Sequence, residues 1–213
     1  MSPWCMYPTW FETMTTNYER LILANLSEAC TESPVELEEK LPAKREGAAY
    51  HFRAFGEDCC VTQESVLFSG RPDTGPKGLL VSLYARHVSP EPIQMEPFKA
   101  FRDLPNSMPY QGAFSANSEG RLVPHVSRIR VRSEQIKTAF GGADGAPPLG
   151  GDFSLLLFPL PKIALTYVFY LPDDEFPASV TCLFSANALS FLPLDGLADV
   201  GEYTSRRLAE MAS

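Results

Sequence analysis

Paired cysteine ligands, paired histidines and glycine-rich phosphate loops are all missing from this chain of 213 residues. Five cysteines stand at positions 5, 30, 59, 60 and 182 with no CxxC among them, so neither a zinc knuckle nor an iron–sulfur cluster is signalled. Their odd number and irregular spacing suit a reducing compartment, and the expected location is cytoplasmic. His51, His87 and His125 never fall at metal-pair spacing, so each reads as structural. There is no GxSxG elbow. Gly141-Gly142 and Gly150-Gly151 lack the spacing of a dinucleotide turn. Cations are few, 18 Lys and Arg against 26 Asp and Glu, and the net charge of −8 argues against nucleic acid as a partner. Long apolar runs are also lacking. Residues 155–171 come nearest, but Pro159, Pro161 and Lys162 interrupt them, which favours two buried strands over a membrane span. The first residues show no basic stretch followed by an apolar core, so no signal peptide is expected.

What is present is apolar and rich in corners. Hydrophobic residues make up 45% of the chain, enough for one good core, and 19 prolines predict short elements. Residues 1–13 hold Trp4, Trp10 and Phe11 without a period and read as a disordered extension, with an aromatic arm on the body as the alternative. Residues 14–213 then form one domain. Helical spacing over 17–30 suggests Asn17 as its cap, and a short helix over 35–41 would take Ser33 as cap and Pro34 in its first turn. Two strands over 48–55 and 59–68 would be joined by a turn at Gly56-Glu57-Asp58. Residues 70–78 read as a loop and 79–88 as a buried helix. The proline-rich stretch 89–109 reads as an irregular connection anchored by Phe98, Phe101 and Leu104, followed by a short helix over 110–117. Leu122, Val126, Ile129, Ile136 and Phe140 mark one helical face that Gly141-Gly142 ends. Strands over 153–158, 163–171 and 179–184 precede a closing helix over 195–211 with Asp195 as cap and Leu197, Val200 and Leu208 inward. Helices and strands that do not alternate regularly predict an α+β fold: an antiparallel or mixed sheet from two strand groups, packed with helices.

Two charged constellations could carry chemistry. At Asp173-Asp174-Glu175-Phe176-Pro177 an extended backbone would put Asp173 and Glu175 on one face, able to hold a hard cation or act as an acid/base pair, with Asp152 as a third carboxylate. The simpler reading is a solvated turn whose carboxylates take backbone N–H groups, with Phe176-Pro177 anchoring its exit. Arg121, His125, Arg128 and Arg132 recur at i, i+4, i+7 and i+11 and would line one helix side, with Arg130 and Lys137 nearby. They could grip a small anionic ligand through forked contacts. The plainer alternative is a solvated face paired with acidic neighbours, and Pro124 threatens the continuity of the helix. Adjacent Cys59 and Cys60 would point to opposite faces of a strand, one buried and one exposed.

The run Gly151-Asp152, Pro159-Leu160-Pro161, Asp173-Asp174-Glu175-Phe176-Pro177-Ala178 and Leu183-Phe184 resembles the end of a prokaryotic family filed as domain of unknown function 3786. Residues Leu79, Leu80 and Tyr84, Phe101-Arg102-Asp103-Leu104-Pro105, and the stretch 110–114 resemble its middle, so the resemblance spans roughly residues 17–208. It implies a setting in anaerobes, including sulfate reducers and methanogens, and supplies no catalytic residue. Some relatives carry Asp where Ser185 stands here, and some are joined to an iron–sulfur segment that this chain lacks. The expectation is a soluble accessory protein of anaerobic metabolism that binds a partner protein or a small anionic ligand, which could be a cofactor such as a tetrapyrrole or corrinoid. A homodimer is a further candidate assembly. The alternative is an enzyme using Asp152, Asp173 and Glu175 for acid/base or metal-assisted chemistry.

Overall fold

The computed structural model describes residues 16–31, 34–144 and 150–213. The extension read at 1–13 and the Ser33 cap lie outside them. Helix α1 (Asn17–Ala29) is capped not by Asn17 but by Thr16. Thr16 Oγ1 accepts the Glu19 N–H at 3.2 Å while Glu19 Oε2 accepts the Thr16 N–H at 2.6 Å. This reciprocal pair satisfies two otherwise orphaned donors. Asn17 is left to accept from Arg20 Nη2. Helix α2 (Pro34–Lys40) follows.

The first sheet is an antiparallel meander of β1 (Lys44–Glu46), β2 (Ala49–Ala54), β3 (Glu57–Val61), β4 (Val66–Phe68) and β5 (Arg71–Pro72), in that order. The β2–β3 turn sits one residue earlier than the glycine suggests, at Phe55-Gly56, because Ala54 pairs with Glu57. Both turn residues have positive φ, 52° and 79°, the geometry whose twist matches a two-residue hairpin. The strand expected over 59–68 is two strands, broken by the turn in which Thr62 Oγ1 accepts the N–H groups of Glu64 and Ser65. Tyr50, Phe52, Ala54, Cys59, Val61, Val66 and Phe68 all point inward and are buried.

Helix α3 (Pro76–His87) begins three residues before the expected 79, inside the stretch read as a loop, which also holds β5. Asp73 Oδ1 makes this start possible by accepting the N–H groups of Gly75 and Gly78, both at 3.0 Å. Asn25 of α1 donates to Ser82 and accepts from Arg86, pinning α1 along α3. The Tyr84 hydroxyl accepts the Lys162 N–H, tying α3 to the second sheet.

The proline-rich connection contains strand β6 (Lys99–Ala100) and a 3-10 turn, Phe101–Asp103. Phe101 and Leu104 are buried as expected, whereas Phe98 is half-buried. The helical run beyond it is broken repeatedly. It comprises α4 (Gln111–Phe114), a π turn (Ser115–Glu119), α5 (Gly120–Leu122), a 3-10 turn (Val123–His125), α6 (Val126–Val131) and α7 (Ser133–Phe140). The breaks leave the inward face intact, and Leu122, Val126, Ile129, Ile136 and Phe140 are all buried. Gly141 closes α7 in the left-handed conformation.

The second sheet is antiparallel in the order β6-β10-β9-β8-β7, formed with β7 (Ala143–Asp144), β8 (Phe153–Leu160), β9 (Ile163–Tyr170) and β10 (Ser179–Phe184). The closing helix α8 (Leu194–Met211) starts after Pro193, with no side-chain cap. Asp195 lies inside its first turn and accepts, among the described residues, only from its neighbour Gly196, so the expected cap role is not realised. Leu197, Val200 and Leu208 are buried as the spacing requires. Gly201 lets α8 approach Phe114: a Cβ there would stand 2.6 Å from the phenyl edge. Tyr167 of β9 donates to the Gly201 carbonyl and shares a hydrogen bond with Ser205, which also bonds Ser118 of the π turn. One hydrophobic core joins the two sheets and these helices into a single α+β domain. No helix among the described residues is long and apolar enough to cross a membrane.

Candidate functional site

The four residues of the basic stripe do not share one regular helix. Arg121 belongs to α5, His125 ends the 3-10 turn at Pro124, Arg128 lies in α6, and Arg132 stands at the break before α7. The three arginines are exposed. Arg121 Nε donates to the Asn117 carbonyl and Arg132 Nη1 to Gln135, both contacts internal to the helical run. His125 is half-buried, and its Nδ1 is shielded from solvent without a partner among the described residues. Of the nearby cations, Arg130 lies 5.9 Å from the centre of the Phe153 ring, and Lys137 binds Asp144 and Glu134, each at 2.7 Å.

The carboxylates of the acidic corner are taken up by the backbone. Asp173 Oδ1 accepts from the N–H groups of Glu175 at 2.9 Å and Phe176 at 2.7 Å. These two bonds hold its carboxyl below the usual aspartate range. Asp152, also exposed, accepts the Leu171 N–H at 2.7 Å. Phe176 is 67% exposed and does not anchor the turn, contrary to expectation. Asp174 and Glu175 face solvent. No three His, Cys, Asp or Glu side chains among the described residues come together in a way that could hold a metal ion.

Cys59 is buried and Cys60 half-buried, on opposite faces of β3. The register of β2 and β3 brings His51 opposite Cys60, with Nε2 3.9 Å from the sulfur and 3.9 Å from Glu46 Oε2 of β1. The same ring nitrogen meets both partners, whereas a relay needs one partner on each nitrogen. Burial, and then the Glu46 charge, push the Cys60 thiol up, away from the reactive thiolate. The pairing is therefore not primed for nucleophilic chemistry. Cys182 is buried in β10 and His87 ends α3 at an exposed position, as expected of both.

The feature the sequence reading missed is a cleft of about 400 Å3 where α1, α3 and α8 meet. Leu79, Leu80 and Leu83 of α3 supply apolar lining, and Tyr18 of α1 stands at one side. Asp195, Asp199 and Glu202 enter it from α8, at i, i+4 and i+7, a spacing that puts all three on one helix face. Partial burial first, then the charges of Glu202 and Asp195, hold the Asp199 carboxyl above its ordinary value. Arg206, one further turn along, lies 4.4 Å from the centre of the Tyr203 ring. A second cleft, of about 470 Å3, opens on the other flank of α1, where Glu19, Ile22 and Leu23 face Glu64, Val66 and Asp73. The spacing of the three α8 carboxylates was visible in the sequence. Their meeting with Tyr18 and Leu83 was not, because it depends on how three distant helices pack.

No curated protein and no solved structure is significantly similar to this chain. A family model, Domain of unknown function (DUF3786), matches residues 33–207, which contain both sheets, α3 and the part of α8 that lines the cleft. By that match, covering most of its length, the chain belongs to the DUF3786 family.

Proposed function

We propose that this chain is an accessory protein that binds a protein partner through the outer face of α1 and the two clefts beside it. The observation that carries the reading is the exposure of three large apolar side chains on one short helix. Tyr18, Leu21 and Leu23 are exposed to 45%, 44% and 44% of their surface, between concave surfaces that themselves carry apolar lining. Exposed apolar side chains beside concave, partly apolar surfaces are a common mark of association surfaces. The acidic corner lends less support to an enzyme, since Asp173 and Asp152 spend acceptor capacity on backbone N–H groups. An anionic ligand at Arg121, His125, Arg128 and Arg132 is the weaker version of the binding reading, since two of the arginines are engaged within their own helical run. The cytoplasmic location, which rests on the cysteine usage and the family resemblance, and the anaerobic setting, which rests on the resemblance, belong to the same proposal.

The test is capture of partners by the full-length chain at native abundance, comparing Leu23→Glu with Val131→Glu. Val131 is 82% exposed and lies in α6, so its substitution controls for added charge on an exposed apolar position. Loss of a stoichiometric partner with Leu23→Glu alone supports the reading; equal recovery with both variants overturns it.

A further inference from the structure

The cleft between α1, α3 and α8 combines two chemistries that few ligands satisfy together. Its leucines offer apolar contact, and Asp195, Asp199 and Glu202 bring three carboxylates along one side. Local compensation is thin. Among the described residues, Arg206 is the one cation lining the cleft, and its guanidinium is placed over the Tyr203 ring. Among the described residues, Glu202 receives a single neutral donor, Asn117 Nδ2, at 3.3 Å. An occupant that carried negative charge would add repulsion to a site already crowded with carboxylates, and a purely apolar one would strip their water without replacing it. A cationic group carried on an apolar stem meets both demands, because lysine and arginine lay their methylenes on apolar surface while the charge reaches the rim.

We propose that this cleft docks a short cationic amphipathic segment of a partner protein, with lysine or arginine set against Asp199 and Glu202 and an apolar side chain against Leu79 and Leu83. The inference rests on the partner-binding reading above and adds the chemistry that the partner presents. Helix-in-groove recognition has this form, with apolar anchors in the groove and charge at its edge setting orientation. The net charge of −8 favours such an encounter at long range, and the carboxylate row fixes where it ends.

The experiment uses the full-length chain and two labelled peptides, one of leucine and lysine and one of the same length with glutamate for lysine, followed by fluorescence anisotropy at physiological salt. The lysine peptide is expected to bind and the glutamate peptide not. The double variant Asp199→Asn, Glu202→Gln is expected to weaken binding by roughly tenfold or more. Asp173→Asn, Asp174→Asn removes the same charge from the acidic corner and is expected to leave it unchanged. Three results overturn the inference: equal loss in both double variants, which means attraction to net charge alone; no loss in the cleft variant; or a dimer in solution that the cleft variant dissolves, which gives the cleft to a second copy of this chain. Partner capture that depends on Leu23 while the cleft variant is silent would sink this inference and leave the broader reading standing. Failure of both would remove both.

Discussion

The carboxylate of Glu119 accepts the backbone N–H of Cys182 at 3.0 Å, at the point where strand β6 runs out. β6 pairs with β10 only at Leu183 and Phe184, so the next outward N–H of β10 has no strand beside it. The π turn delivers the acid to that place, and Ser115 Oγ steadies its other oxygen at 3.1 Å. π turns often mark sites with a special task. Here the task is to finish the edge of a sheet. Glu119→Ala, which strands the Cys182 N–H, is expected to cost about 1–3 kcal/mol in denaturant unfolding. Glu119→Gln keeps an acceptor and is expected to cost clearly less. Equal losses would show that the charge matters rather than the acceptor.

Gly201 is a contact, not a gap. Any Cβ at this position meets the Phe114 ring at 2.6 Å, and Phe114 is itself stacked on Phe101 with ring centres 4.2 Å apart. Gly201→Ala is therefore expected to lower stability by about 1–3 kcal/mol through overpacking, although alanine is the better helix former. A thermal scan that shows Gly201→Ala more stable than the parent would mean that α8 can lift away from the π turn at little cost.

Asp199 and Asp173 should move stability in opposite directions with pH. The Asp199 carboxyl is raised in the folded chain, so the fold holds its proton more tightly than the unfolded state does. Its contribution is favourable below the ordinary aspartate range and is lost as pH rises through the folded value. Asp199→Asn is expected to raise Tm at pH 7, with the gain fading toward about pH 3. Tm measured across that range checks it, and a gain that stays constant with pH would sink the explanation.

The Asp173 carboxyl is lowered by its two backbone bonds, so its contribution is present at neutral pH and is lost as pH falls through the depressed folded value. Asp173→Asn is expected to lower Tm slightly at pH 7, with the difference from the parent closing in acid below the ordinary aspartate range. A difference that widens in acid would contradict this account of the turn.

Thiol reactivity should sort by depth. Burial pushes the Cys59 and Cys182 thiols far up, and each is shielded by its sheet. Cys60 is half-buried and its thiol is also raised. Alkylation of the native chain, resolved by peptide mass, is expected to label Cys60 slowly and to leave Cys59 and Cys182 unlabelled until denaturant is added. Rapid labelling of Cys59 would mean that β3 opens in the native state.

Apolar periodicity carried far in this chain, because burial depends on spacing and tolerates local breaks. Leu122, Val126, Ile129, Ile136 and Phe140 are all buried even though a 3-10 turn and the break at Arg132 divide their helix. The basic stripe crosses the same breaks at the same spacing, and two of its arginines, Arg121 and Arg132, bond within the helical run. Ends were read less well than faces. Asn17 and Asp195 have the right chemistry for caps, but Thr16 had the matching Glu19 three residues on and Pro193 set the start of α8. The turn at Phe55-Gly56 falls earlier than local rules suggest, because a phenylalanine at positive φ is uncommon. The acidic corner was legible as a turn, since an aspartate closing on its own backbone needs only a few consecutive residues. The cleft was not, because it joins Tyr18, Leu83 and Asp199 from three helices.

The strain at Phe55 has a purpose that reaches past the hairpin. Its N–H leaves the first sheet and donates to the Pro159 carbonyl of β8 at 2.7 Å, and its ring, wholly buried, sits 4.7 Å from that of Tyr203 on α8. One residue thus rivets the tip of one sheet to a strand of the other and to the helix that lines the cleft. Force or ligand strain applied at α8 is passed to both sheets together, so the chain should yield as one cooperative body rather than peel apart layer by layer.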